Sequence, residues 1–302
     1  MSNDPFADIL RITEARSIVS GGVAAGGNWS LHLPPLGQVM FAAIVKGGCW
    51  LRLDGHREAI RLEEGDVGLL SGRDGFVMCD KLRTKPTELQ RTDTWGEITK
   101  IGDGTGCTWL AGRVELDPAS AVVLTQALPA VVHVRAAAAV KLRWIVEELI
   151  EEQASTLAGA RIASAQLAQL FFVKILRAHL ADPVATPAGW LRALSDEQLA
   201  PALRRIHDEP GRAFTLDELA RAAGMSRTRF AVRFKAFAGV APLAYVTTWR
   251  MRVAQRVLRD EDTAIRAIAE SLGYASESAF SNAFKRVIGT APSSYRVESR
   301  AT

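Results

Sequence analysis

Two short stretches of this chain carry side chains suited to gripping a polyanion and reading base edges. In "MSRTRFAVRFK", Arg227, Arg229, Arg233 and Lys235 are cations able to clamp phosphate oxygens, contacts that position a protein on a duplex without specifying sequence. Among them, Thr228 can hydrogen-bond a base edge, whereas Ala231 and Val232 offer only methyl contact, the complement of a thymine methyl. In "SESAFSNAFKR", Ser278, Ser281 and Asn282 are all hydrogen-bonding side chains, and Asn282 can pair bidentately with adenine. Ser281 is neutral about base identity. Glu277 can accept from cytosine, or it can stand as an acid favoured by the dipole at a helix N-terminus.

These residues share a face only if each stretch is helical. With Phe230 and Phe234 buried, steps of about 100° carry Thr228, Val232 and Lys235 to the opposite side, flanked by Arg229 and Ala231. Burying Phe280 and Phe284 likewise exposes Ser278, Ser281, Asn282 and Lys285, with Glu277 at the margin. Ser226 and Ser276 are placed to cap the two helices. Upstream, "TLDE" (Thr215 to Glu218) reads as a capping box opening a helix with Leu216, Leu219, Ala220 and Ala223 on one face. Gly224 then supplies the freedom a tight turn needs. Helix, glycine turn, helix is the geometry of a DNA-reading module.

The module is written twice. Phe230, Phe234, Gly239, Pro242 and Tyr245 return fifty positions later as Phe280, Phe284, Gly289, Pro292 and Tyr295. Leu219, Ala220 and Gly224 return at forty-nine as Ile268, Ala269 and Gly273, so the second copy carries one inserted residue. Charge segregates with the duplication. From Pro201 onward, 17 Lys and Arg face 10 Asp and Glu, a net of +7. The remaining 20 basic and 23 acidic groups leave the first two hundred residues at −3. A basic third on an acidic body is the footprint of polyanion binding confined to one domain.

The rest of the chain reads as a separate domain. With 302 residues, 48% hydrophobic and 23% charged, the composition is globular and sufficient for two cores. The opening "MSNDPFADIL" lacks the signal-peptide pattern, and "AVVLTQALPAVVHV" is too broken to span a membrane, so a cytoplasmic protein is expected. Cys49, Cys79 and Cys107 are odd in number and form no CxxC pair, and are expected as core residues. Short runs, "MFAAIV", "CWLRL", "AIRL", "DVGLL" and "FVMC", separated by "KGG", "DGH", "EEGD" and "SGRDG", predict β structure from residue 8 to about 116. Two helices follow. The apolar face of the second, with Leu167, Leu170, Phe171, Val173, Ile175 and Leu176, either closes the domain or forms a homodimer interface between 137 and 181. "DPVATPAG" opens a linker over 182–199.

"FTLDELARAAGMS", "GVAPLAYVTTWRMRVAQRVL" and "IRAIAESLGYASESAFSNAFKRVIGTAPSSYR" together resemble the DNA-binding domain of the AraC/XylS family of bacterial transcription regulators. The resemblance implies an α+β protein: a cupin-like β-barrel with two following helices over 1–181, then an all-α DNA-binding domain over 200–299. Its two helix-turn-helix motifs, 216–238 and 264–287, are joined by a long helix at about 242–258. It further implies that positions 228, 231 and 232 read bases, that the partner is double-stranded promoter DNA, and that the protein is an activator working with RNA polymerase. A small-molecule effector is implied for the sensor domain.

The cupin resemblance is looser. Gly65 fits the second cupin metal motif, but Ser71, Arg73 and Phe76 stand at its other positions. His32, His56 and His133 lack ligand spacing, so no metal, cofactor or enzymatic activity is expected. The rival readings are a cupin-type enzyme with a DNA-binding tail, which metal content would reveal, and a regulator whose barrel only dimerises.

Overall fold

The computed structural model describes residues 16–88, 98–115, 124–125, 128–181 and 189–300. They divide into two compact units, one ending by residue 186 and the other beginning at 187.

The first unit is built on ten strands: β1 (Arg16–Ala25), β2 (Ser30–Leu33), β3 (Val39–Leu53), β4 (Ile60–Glu63), β5 (Val67–Leu70), β6 (Phe76–Cys79), β7 (Thr87–Glu88), β8 (Ile98–Ile101), β9 (Cys107–Glu115) and β10 (Val131–Val134). The sheet is a curled half-barrel in which β3 is the hub. Its first half pairs antiparallel with β9 and β5, and its second half with β4 and β6. The sequence reading ended a strand at "KGG"; instead the chain continues through it. The ladder shifts register between Ile44 and Lys46, and Gly47 takes a left-handed φ of 71°. The extra residue, Val45, and the left-handed Gly47 two positions on together bend the strand and so let it serve two sets of partners.

The inside of the curl is packed. Trp29 and Trp109 stack with ring centroids 5.3 Å apart, among Leu31, Ile44, Leu51, Phe76 and Met78. All three cysteines are free and buried. His32 pairs with Asp54 at 2.9 Å, and His133 with the buried Asp66 at 2.8 Å.

Two helices follow, α1 (Arg143–Ala154) and α2 (Ala160–Leu180). Helix α2 lies against the sheet, with Phe171 edge-on to Phe41 at 5.6 Å. Phe171, Phe172, Ile175 and Leu176 are buried within the unit, so Ile175 belongs to the intramolecular core and not to an outward face. On and beside these helices, among the described residues, the large apolar side chains left exposed are Val140, Trp144, Leu157, Ile162 and Leu170.

The second unit is all helix: α3 (Trp190–Leu194), α4 (Ala200–Asp208), α5 (Leu216–Ala222), α6 (Arg227–Ala238), α7 (Pro242–Asp260), α8 (Ile265–Ser271), α9 (Glu277–Ile288) and α10 (Pro292–Arg300). Of the residues expected as linker, 182–188 lie outside the described set, but 190–199 are folded. Leu191, Ala193 and Leu199 are buried, and the Gly189 amide donates to the Phe237 carbonyl at 2.7 Å. Prolines and polar residues mark the start of the connection. The apolar residues Trp190, Leu191, Ala193, Leu194 and Leu199 are the signal for its end.

Candidate nucleic-acid interface

The two copies share their second-helix caps, turn glycines and aromatic cores, but only the first opens on a capping box, Ala264 standing at the equivalent position of the second. Thr215 caps α5 in a full capping box, its hydroxyl accepting from the Glu218 amide while Glu218 accepts from the Thr215 amide. Those hydrogen bonds hold the Glu218 carboxyl below its ordinary range. Ser226 and Ser276 accept from the backbone amides of Arg229 and Ala279, capping α6 and α9. Gly239 and Gly289, both left-handed, end those helices, and Pro242 and Pro292 open the next ones.

The aromatic cores are also duplicates. Phe230–Phe234 and Phe280–Phe284 lie 5.5 and 5.7 Å apart, and Phe234–Tyr245 and Phe284–Tyr295 lie 5.5 and 5.6 Å apart. In the first copy His207 stacks on Trp249 at 3.7 Å and shares a 2.9 Å hydrogen bond with the Tyr245 hydroxyl. Burial pushes that hydroxyl's pKa up, so it stays protonated.

With one face of α6 and α9 committed to these cores, the other carries the candidate residues. On α6, Arg227, Thr228, Arg229, Val232 and Lys235 are exposed, and Ala231 is half-buried. On α9, Glu277, Ser278, Asn282 and Lys285 are exposed, and Ser281 is half-buried. Val232 is 67% exposed. Arg227 reaches Asp217 at 3.8 Å, a weak exposed pair.

Arg233 departs from the expectation. Its guanidinium is bonded to the buried Asp196 carboxylate (Nε to Oδ1, 3.2 Å) and lies over the Phe237 ring, where Arg192 lies too. It ties the start of the unit to α6 and is not a free phosphate clamp.

Two further relationships were not read from the sequence. Arg250 on α7 donates from Nε to the Pro210 carbonyl at 2.7 Å and from Nη2 to the Arg212 carbonyl at 2.8 Å. Fifty positions later, Arg300 on α10 donates from Nε to Arg259 and from Nη2 to Glu261. Those carbonyls are the equivalents of 210 and 212 at the forty-nine-residue offset. Each copy is therefore closed by an arginine that returns to the loop preceding its own first helix. The fifty-residue spacing from Arg250 to Arg300 was the available signal.

The second relationship joins the copies. Gly211 and Gly273 meet backbone to backbone: a Cβ at Gly211 would lie 2.2 Å from the Ser271 carbonyl oxygen, and one at Gly273 2.1 Å from the Gly211 oxygen.

Comparison with known proteins finds likenesses over both units. A family model described as cupin matches residues 4–181, and one described as a helix-turn-helix domain matches residues 219–298. An AraC-like transcription regulator of Streptomyces antibioticus is 35% identical over 297 residues, covering 97% of this chain and 98% of that protein. The HTH-type transcriptional regulator AlkR of Acinetobacter baylyi is 33% identical over 291 residues, covering 92% of this chain and 94% of its own length. Among solved structures, the DNA-binding domain of the global transcriptional factor AdpA in complex with a target DNA is 33% identical, covering 35% of this chain and 96% of that one, with a TM-score of 0.33.

Proposed function

The chain belongs to the AraC-like family of transcription regulators, with a cupin domain and a DNA-binding helix-turn-helix domain, and on that premise we propose how its parts divide the work. The outward faces of α6 and α9 enter two successive major-groove segments of promoter DNA about one helical turn apart. Thr228, Ala231, Val232, Ser278, Ser281 and Asn282 face the bases. Arg227, Arg229, Lys235 and Lys285 hold phosphates, and Glu277 stands at the margin. The observation that carries this reading is the duplication itself: two copies of one capped, aromatic-cored unit, each presenting an exposed polar helix within the basic part of the chain.

Residues 1–181 form the sensor and dimerisation domain. The DNA-binding domain, placed over 200–299 by its two motifs at 216–238 and 264–287, extends back to α3. The homodimer forms through Trp144, Ile162 and Leu170, large apolar side chains left exposed on α1 and α2. A small-molecule effector binds the first unit and shifts the regulator toward activation with RNA polymerase in the cytoplasm. Support for an effector site comes from an open cavity of roughly 290 Å³ bounded by Ile44, Glu64, Val67, Arg143, Glu147 and Ile150. It lies between strand β3 and helix α1. The domain binds and does not catalyse; the relatives are named regulators. Among the described residues no group of three or more His, Cys, Asp and Glu is placed to hold a metal.

Footprinting the full-length protein on the DNA flanking its own gene tests the reading. Two protected major-groove segments per subunit are expected; no protection even at low salt would sink it.

A further inference from the structure

We infer that Gly211, Gly273 and Arg250 form an interlock that fixes the distance and angle between the two reading helices, and so the number of base pairs between the segments they read. The inference rests on the DNA-binding reading and names the residues that set its geometry.

Helix α7 alone leaves that angle loosely defined. The first core uses Tyr245, Val246 and Trp249 of α7, and the second uses Met251, Ala254 and Leu258. Each copy is thus anchored to one short segment of one helix, about which it can rock. A second point of contact away from the helix removes that freedom. The 210–212 loop of the first copy supplies it by resting on the turn of the second copy at Ser271 and Gly273. Arg250 sits at the junction. It holds the loop through two carbonyls and lies over the Tyr274 ring at 5.6 Å. A Cβ at Gly273 would also come within 3.3 Å of its Nη2. Because its hydrogen-bonded partners are backbone oxygens, Arg250 fixes the path of the loop itself.

The duplication provides an internal control. Gly224 is the first copy's equivalent of Gly273; it is left-handed too, yet a Cβ there would meet no described atom within 4 Å. The second copy's equivalent of Gly211 is Asp260, which carries an exposed side chain. Gly211 has no left-handed φ to accommodate. Glycine is required at 211 by the approach of the other unit and by nothing in the repeat itself.

The test uses the full-length protein. Duplexes are selected from a random library with the wild type, and the best site is rebuilt with one base pair added or removed between its two protected segments. One base pair turns the second segment by roughly 35° and moves it about 3.4 Å, so the wild type is expected to lose about tenfold or more in affinity. Gly211→Ala keeps an accessible backbone conformation but forces the loop off the Ser271 oxygen. It should weaken binding to the best site and shrink the spacing penalty to about two- to threefold, about 0.5 kcal/mol at 1.4 kcal/mol per tenfold. Arg250→Lys, which keeps the charge but not the fork that bridges two carbonyls, should act likewise and serves where the first variant folds poorly. Asp260→Ala should leave the penalty at its wild-type value.

A merely structural role for the interlock would lower affinity for every spacing alike; an unchanged penalty in both variants overturns the proposal. Should the wild type select no duplex at all, the DNA-binding reading fails, and the interlock with it.

Discussion

The Asp196 carboxylate, buried in the turn after α3, is the partner of the Arg233 guanidinium on α6. This pair, with Leu191, Ala193 and Leu199, makes α3 part of the core of the first helix-turn-helix copy and gives a charge of α6 a buried partner.

A fragment beginning at residue 189 should therefore be markedly more stable than one beginning at 200. Removing two buried leucines and the partner of Arg233 forfeits several interactions, each leucine contributing about 1.5–3 kcal/mol. For a domain of this size a loss of about 3 kcal/mol lowers the melting midpoint by roughly 10–20 °C. Thermal unfolding followed by circular dichroism measures it; coincident melting of the two fragments would remove α3 from the core.

The helical half of the fold was legible because local chemistry and tertiary packing agree there. Thr215 with Glu218, Ser226, Ser276, Gly224 and the paired phenylalanines each announce a cap, a turn or a buried face, and the second copy repeats the message. The exposed candidate face of α6 and α9 followed by subtraction from that buried face. Less legible were features set by the approach of distant backbone. Gly211 looks like any loop glycine, and "KGG" looks like any turn, until the partner strand or partner unit is in place. Arg233 fits the basic periodicity of α6, and only the buried Asp196, thirty-seven residues earlier, removes it from the clamping set.

The oligomeric state should separate the two kinds of apolar residue on α1 and α2. Ile175 is fully buried, so Ile175→Asp should cost several kcal/mol and leave the first unit unfolded or aggregated. Trp144→Glu and Ile162→Glu replace exposed side chains; the fold should survive while sedimentation shows monomers in place of dimers. An unchanged dimer in both would place the interface on another surface.

The capping box predicts a pH dependence of definite sign. The Glu218 carboxyl is held below its ordinary value by hydrogen bonds from the Thr215 amide and hydroxyl, and then by Arg212. A group whose pKa is depressed by folding contributes stability above its unfolded pKa, about 4.3 for glutamate, and loses it as pH falls through the lowered folded value. Wild type should thus melt above Glu218→Gln at neutral pH, and the gap should close in acid. The group is exposed, so the gap is expected to be small. Melting series of both proteins from pH 7 to pH 2 would check it, and a gap that widens in acid would contradict the assignment.

Base reading should fall more heavily on α9 than on α6. At the outward positions of α6 only Thr228 has a side chain able to hydrogen-bond, since Ala231 and Val232 present methyl groups; on α9, Ser278, Ser281 and Asn282 all have one. A bidentate amide–adenine pair discriminates by about 1–3 kcal/mol, and a methyl contact usually by less. Asn282→Ala should therefore relax preference at one base position, expected to be an adenine, and leave the salt dependence of binding unchanged. Arg229→Ala should do the reverse, weakening binding to all sequences and lowering the salt slope by about one if it neutralises one phosphate. Arg233→Ala provides the contrast that the structure adds. Its guanidinium is already matched by Asp196, so its loss should lower stability and leave the salt slope close to wild type. Affinities for a library of single-base operator variants, measured at several salt concentrations, separate the three. If Arg233→Ala reduces the slope as much as Arg229→Ala does, the Asp196 pair opens on DNA and Arg233 returns to the clamping set. If Asn282→Ala alters no preference while Arg229→Ala abolishes one, the reading and clamping roles are reversed.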